Sequence, residues 1–465
     1  MTDLDSAPTA GGVAPAPRLR RRASPPPVRI VHLGLGAFSR SHTAWYTAAA
    51  SDADQWGIAA YAGRRRELAD ALTEQDGLYA LIERSAAGDS GRIVGSISRA
   101  HAGDDVAALV DDLAATTTAV VTLTITEAGY RLDALGDGPD LTDPAVMADL
   151  AEIERVIAGE LEARDARPQT APGRLILGLE ERRRRVGGPL AIVSCDNLPD
   201  NGGRLARGLA GWAEAASPAL RRWIDTQAAF VSTSVDRITP AIADAERQAL
   251  AAEYGDAVPV VAEPFHDWVL SGDFPAGRPR WESAGARFVD DLESWEARKL
   301  WLLNGAHTLL ACLGSVRGHA TVAQAIADPV CRTAVSGLWD EDERHLPREL
   351  DIPAYREALL ARFENPRIEH RLAQIAQDTR TKLRLRIAPV AERERERGGR
   401  ADGCALAFAA WVRAERLGRI PLPVSAVALD DTTALRQWVH AVSPALGADE
   451  AFVSEVERAL SKLEE

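Results

Sequence analysis

The chain has 465 residues, 46% apolar and 26% charged, with a net charge of −14 and a pI near 5.3. These values fit a globular protein of two or three domains. The acidic balance speaks against nucleic acid or an anionic membrane as main partner and for a small molecule.

Residues 1–27 are rich in Ala, Pro, Gly and Arg without periodicity, and read as a disordered tail. A β-branched run from Val28 to Leu33 then meets the turn Gly34-Leu35-Gly36 and a helical stretch from Thr43 to Ala50. The patterning predicts strands at 56–62, 79–83, 92–98 and 119–126, with helices at 67–74 and 104–115 between them. Further strands are expected at 190–194, 228–232 and 258–262. The alternation is that of a parallel or mixed sheet covered by helices. Beyond residue 287 strand signals fade and helix-compatible runs continue to Glu465. The charge runs Arg182 to Arg185 and Glu392 to Arg397 are expected on solvated helix faces or loops.

Cys195, Cys312, Cys331 and Cys404 show no paired spacing, so neither a zinc site nor a disulfide framework is indicated, and a reducing cytoplasm fits. No apolar run approaches the ~18 residues that span a bilayer. The expectation is a cytoplasmic protein without metal; a monomer is favoured only by the family likeness set out below.

Gly34 and Gly36, after a buried strand and before a helix, supply close backbone approach and helix N–H groups for a pyrophosphate. The third small position of a dinucleotide fingerprint is Ser39. At the end of the second strand, where an acid would bind a ribose 2′-hydroxyl, the chain reads Gly63-Arg64-Arg65-Arg66. Arginines there lean toward a 2′-phosphate, although a glycine and Arg64 can also cradle adenosine. These residues leave the coenzyme form, NAD or NADP, open.

The segment Glu296 to His307 places Lys299, Asn304 and His307 among leucines and tryptophans. On an α-helical wheel with Lys299 at zero, Glu296 falls near about 60°, His307 near about 80° and Asn304 near about 140°. All four share one sector. An apolar wall disfavours the ammonium form of lysine and can make it a general base. His307 lies ~12 Å along the axis from Lys299, too far for a direct relay in a straight helix.

With these motifs on view, the chain resembles the polyol-specific long-chain dehydrogenases, the family of mannitol 2-dehydrogenase and of fructuronate and tagaturonate reductases. The likeness runs through Val31 to Phe38, Thr124 to Tyr130, Ser194 to Gly202 and Val235 to Pro240. It continues through Glu263 to Phe265, Asp273 to Arg278, Lys299 to His307 and Asn365 to His370. About 430 residues are covered, all but the tail. The resemblance implies an α/β fold: an N-terminal Rossmann-type dinucleotide-binding domain at 28–286, then a mostly α-helical C-terminal domain at 287–465, with the active site between them.

The same likeness implies Lys299 as general acid/base, Asn197 and Asn304 as holders of the substrate oxygen, His307 as a polyol contact and Glu296 on the proton path. Val31, Leu33, Gly34, Leu35, Gly36, Ala37, Phe38, Arg64 and Glu127 are the expected cofactor residues. Asp236, Arg237, Asp378 and Lys382 are expected at the substrate or the domain interface, with His370 of similar standing. The leading expectation is interconversion of a hexitol and a ketohexose of the mannitol/fructose type. The alternative is reduction of a hexuronate such as fructuronate or tagaturonate, its carboxylate met by Arg237, Arg380 or Arg384. Remoter readings are a 3-hydroxyacid dehydrogenase and a dinucleotide sensor without catalysis.

Overall fold

A computed structural model describes residues 19–63, 66–134, 136–420 and 434–464. Among the described residues eleven strands lie before residue 289: β1 (Val28–Leu35), β2 (Gly57–Ala62), β3 (Tyr79–Ser85), β4 (Gly88–Val94), β5 (Ile97–His101), β6 (Val120–Leu123), β7 (Leu190–Ser194), β8 (Ala228–Asp236), β9 (Val260–Ala262), β10 (Asp267–Ser271) and β11 (Arg287–Phe288). Six form a parallel sheet in the order β5-β2-β1-β6-β7-β8. This is the doubly wound Rossmann order, with its switch point between β1 and β6. β10 adds to β8 antiparallel and β11 pairs with β10, which carries the sheet two residues past the boundary expected at 286.

β1 explains its own place. Its apolar run is buried on both faces, as a central parallel strand requires: Ile30 packs with Trp45 and Tyr46, whereas Val31 and Leu33 pack with Leu109, Val110 and Leu175 on the other side. His32 is buried between, with Nδ1 2.8 Å from Thr122 Oγ1 and Nε2 3.2 Å from Thr124 Oγ1. Burial lowers its pKa to about 4, so the ring is neutral.

Several expectations are corrected. The single strand expected at 92–98 is the end of β4 and the start of β5, which belong to different sheets. β9 joins β3 and β4 in a separate three-stranded sheet. The described part of the expected tail, residues 19–27, is docked: Arg21 donates to the carbonyls of Asp76, Gly95 and Ile97 at 2.6–2.7 Å, and Pro27 O receives the Gly57 N–H. The rest of that tail lies outside the described residues. Arg182 is not a solvated charge but a buried one, its guanidinium donating to the carbonyls of Leu113, Ala115, Thr118, Gly188 and Pro189. Glu394, in the second charge run, is likewise buried against Arg344 and His345.

The described residues beyond β11 are mainly helical around one core. Its centre is the helix Ala306–Val316, buried from Ala306 through Ser315, as a helix apolar on all sides must be. No helix among the described residues is long and apolar enough to cross a membrane. The four cysteines are buried and free.

Candidate active site

A cleft of about 640 Å³ opens where the carboxyl ends of β1, β6, β7 and β8 meet the helical half. That is where open α/β sheets bind ligands. The turn after β1 forms one wall. Gly34 has φ +104°, and a Cβ on it would lie 2.1 Å from the Thr124 carbonyl oxygen, so only glycine fits against β6. Ser39 Oγ accepts the Gly36 N–H at 2.9 Å and closes the turn. The first N–H groups of the short helix Ala37–Ser41 have no intrahelical acceptors, and Ala37 and Phe38 line the cleft. Close backbone and open N–H groups are what a pyrophosphate requires, so the turn fits a dinucleotide.

The loops after β6 and β7 are laced together. Asp196 accepts the N–H groups of Ile125 and Thr126 at 3.1 and 2.8 Å and the Tyr130 hydroxyl at 2.8 Å. Asn201 donates to Asp196 O and Thr233 O and accepts the Thr233 N–H. Asn197 is thereby held at the mouth of β7.

Lys299 enters from the helical half. Its Nζ donates to Asn197 Oδ1 at 2.6 Å and to Val235 O at 2.8 Å. Because a lysine only donates, the Asn197 carbonyl must face it and the Asn197 NH₂ is left for a ligand. Burial lowers the Lys299 pKa, and Asp236 opposes that shift. The segment is not the single α-helix expected: an α-helical turn, Glu293–Arg298, gives way to a π-helix, Lys299–Gly305, before the α-helix resumes at Ala306. In i→i+5 geometry Asn304 stacks over Lys299, whereas an α-helix would splay them apart. The Asn304 amide has no protein hydrogen bond among the described residues, while its backbone oxygen accepts from Thr308 and Arg386.

His307 packs against His370 at 4.7 Å and Phe363 at 4.9 Å between ring centroids. It is 7% exposed and its Nε2 is buried without a partner. Burial first, then His370 and the neighbouring cations, hold its pKa well below the usual histidine value, so the ring is neutral.

Behind these groups lies a residue that the sequence reading missed. Arg362, on the helix Ile352–Phe363, forks onto Asp236 at 2.7 and 2.9 Å and onto Glu263 at 2.9 and 2.7 Å. Burial lowers its pKa, but the two carboxylates outweigh that and raise it. Burial pushes Asp236 up, yet Arg362 and Lys299 hold it below the usual carboxylate range; Glu263, pushed up by burial and by the neighbouring Asp236, stays raised. The signal was available in Arg362 standing three residues before the Asn365 motif, but no local period marks it.

Of the residues expected from sequence, the cleft brings together Gly34, Gly36, Ala37 and Phe38 with Asn197, Asp236, Arg237, Lys299, Asn304, His307 and Lys382. The side chains of Val31, Leu33 and Leu35 are core, not lining. Glu127 is exposed and pairs with Arg204 at 3.3 Å. Asp378 starts the helix Thr379–Arg386 in a left-handed conformation and does not line the cleft. Glu296 sits half-buried one turn before Lys299, and burial raises its pKa to about 7. Arg64 lies outside the described residues. Of the three arginines offered for a carboxylate, Arg237 is consumed by Glu83 at 2.6 Å, Arg384 caps Ala441 O and Val442 O, and Arg380 is not among the cleft residues. A second cavity of about 300 Å³ beyond β2 and β5 is lined by Gly63, Arg66, Asp104, Arg167 and Arg174. Asp104, in the loop after β5, is the one carboxylate among these lining residues.

Among the described residues one group has metal-ligand composition, His319, Asp328 and Cys331, away from the cleft. Asp328 is already engaged by Arg317, His319 and the Val330 N–H.

Fold and site together define a Rossmann oxidoreductase with a helical second domain. The chain matches the mannitol dehydrogenase Rossmann domain over residues 28–283 and the mannitol dehydrogenase C-terminal domain over 291–416, and it belongs to that family. It is 35% identical over 398 residues to the D-mannonate oxidoreductase of Escherichia coli K12, covering 83% of this chain and 79% of that one. Among solved structures it is similar to a D-sorbitol dehydrogenase in substrate-free form, with TM-score 0.82, 27% identity and coverage of 97% and 96% of the two chains. It is also similar to Pseudomonas fluorescens mannitol 2-dehydrogenase in ternary complex with NAD and D-mannitol, with TM-score 0.71, 30% identity and coverage of 97% and 95%.

Proposed function

We propose that the protein interconverts the secondary alcohol and ketone of an open-chain six-carbon sugar alcohol or sugar acid, with NAD as hydride carrier and Lys299 as general acid/base. The observation that carries this is Lys299 Nζ held between Asn197 and Val235 O at the floor of the cleft. The division into a cofactor half, 28–286, and a helical half, 287–465, is part of the same reading. NAD, bound along the Gly34–Gly36 turn, would supply the hydride acceptor. The Asp104 carboxylate in the second cavity suits a ribose 2′-hydroxyl, whereas its arginines suit a 2′-phosphate.

The chain's own groups then do the proton chemistry. Neutral Lys299 takes the hydroxyl proton, and as ammonium it returns it to the ketone oxygen. The NH₂ groups of Asn197 and Asn304 donate to the developing alkoxide without adding a charge that would oppose the lysine. Such a donor is worth on the order of 2.7–4 kcal/mol in a transition state. Neutral His307 has a ring nitrogen free for a substrate hydroxyl. Glu296, titrating near 7 one helical turn from Lys299, is placed to pass the proton outward.

A sensor would have no use for a lysine that shares its cleft with the amides of Asn197 and Asn304. The test is NADH and NADPH absorbance with purified protein and a panel of hexitols, ketohexoses, hexonates and keto-hexuronates. Turnover of at least one with NADH is expected; no response to any would sink the reading. Glu296→Gln is expected to remove the inflection near pH 7 from the kcat profile. An unaltered profile would assign the proton path elsewhere.

A further inference from the structure

Five cations line the cleft, Arg237, Lys299, Arg362, Lys382 and Arg386, against two carboxylates, Asp196 and Asp236. This is a positive cleft in a chain of net charge −14. Three of the cations are accounted for. Arg237 pairs with Glu83, Arg362 with Asp236 and Glu263, and Lys299 is held by Asn197 and Val235 O beside Asp236.

Lys382 and Arg386 are not. They stand one turn apart on the helix Thr379–Arg386, so both project to one side. Lys382 Nζ donates only to Ile375 O, at 2.7 Å. Arg386 donates to Asn304 O at 3.2 Å and Thr308 Oγ1 at 3.1 Å. All these acceptors are neutral, and neither cation has an ion pair among the described residues. Burial lowers both pKa values, that of Arg386 to about 10, and both cations are felt at His307. A desolvated cation without an anion is costly. The guanidinium still has donors unspent, next to the amide that faces the reacting oxygen.

We infer that Lys382 and Arg386 receive a carboxylate on the substrate, which makes the natural substrate a six-carbon sugar acid rather than a neutral hexitol. This rests on the reading of the cleft as a dehydrogenase site, and it names the substrate class within it. Lys299, Asn197 and Asn304 address the reacting carbinol or ketone. Lys382 and Arg386 address the charged end of the same molecule, and His307, which lines the same cleft, feels both cations. The neutrality of His307 and His370 leaves the two cations as the charge that selects.

The test compares kcat/KM for fructuronate and tagaturonate with that for fructose and tagatose at fixed NADH. The keto acids are expected to win by at least about a hundredfold, the worth of one or two charge-assisted contacts. Arg386→Met and Lys382→Met should each lower that acid-to-neutral ratio by about tenfold or more. Ketohexoses used as well as or better than keto acids would overturn the carboxylate assignment and leave the proposed reaction standing. Thermal shift of the NADH complex with D-gluconate and D-mannonate against D-sorbitol and D-mannitol separates the remaining case. Stabilisation by the acids alone, lost in Arg386→Met, supports the assignment even if the panel shows no turnover, in which event the reaction proposed above falls instead. Equal stabilisation by acids and hexitols, or an Arg386→Met defect seen in NADH affinity and not in sugar-acid binding, overturns it.

Discussion

Lys299→Ala is expected to lower kcat by about 10²–10⁴-fold, the range lost when a positioned acid/base is removed. The loss should fall on turnover and not on cofactor affinity. Lys299 reaches Asn197 and Val235 O from the helical half, whereas the Gly34–Gly36 turn stands on the opposite wall. Stopped-flow or steady-state NADH absorbance reads the first quantity and NADH fluorescence titration the second. Unchanged turnover would remove Lys299 from the mechanism. An equal loss in NADH binding would make it a structural clamp between the halves. Truncation also frees Asn197 Oδ1, so Asn197 is expected to lose its orientation, and part of the defect belongs to the amide.

Arg362→Leu is expected to be the most damaging substitution for stability, at about 3–5 kcal/mol, because it leaves buried charge without its partner. Arg362 is the shared counterion of Asp236 and Glu263, both under 10% exposed. It joins the helical half to the end of β8 and to the segment after β9. The pH dependence follows from the sign of the shifts. In the intact protein Asp236 has a depressed pKa, so its contribution is present above its unfolded pKa and is lost as pH falls through the lower folded value. In the variant the same carboxyls lack the guanidinium, their pKa values rise, and ionising them costs stability as pH increases. The deficit should therefore be largest near neutrality and shrink as pH falls through the variant's raised carboxyl values, before the unfolded range near about pH 4 is reached. Urea titrations followed by tryptophan fluorescence at several pH values measure it. A deficit independent of pH would show that packing of Arg362 on Phe265, 4.1 Å from its ring centroid, and not charge, is what was lost.

What could be read from the sequence was what is written locally. The strand, glycine turn and helix from Val28 to Ala50 announce themselves within a few turns of chain, because a strand buried on both faces is apolar throughout and the turn needs Gly34. Lys299, Asn304 and His307 stood out because their neighbours are leucine and tryptophan. The wheel that grouped them was nevertheless drawn for the wrong helix. A π-turn leaves no mark on composition, and it alters which residues share a face. Arg362, and the role of Asp196 within the Ser194 to Gly202 motif, were hidden for a different reason: their partners lie 126 and about 70 residues away, and only the folded sheet brings them together. Residues 19–27 escaped likewise, since Arg21 docks on backbone carbonyls that any sequence would offer.

The lacing of Asp196, Tyr130 and Asn201 bears on how the molecule moves. Loops at strand ends are ordinarily the parts that order around a ligand and charge that ordering against affinity. Here the loops after β6 and β7 are bonded to each other and to β8 before any ligand arrives, so their entropy is already spent in folding. The seam between the two halves is bridged by Arg362 on Asp236 and Glu263, Arg298 on Asp267, Asn365 on Arg84 O and Phe265 against Tyr355. The active-site floor is therefore set before a substrate arrives, and Lys299 docks onto a surface already in place.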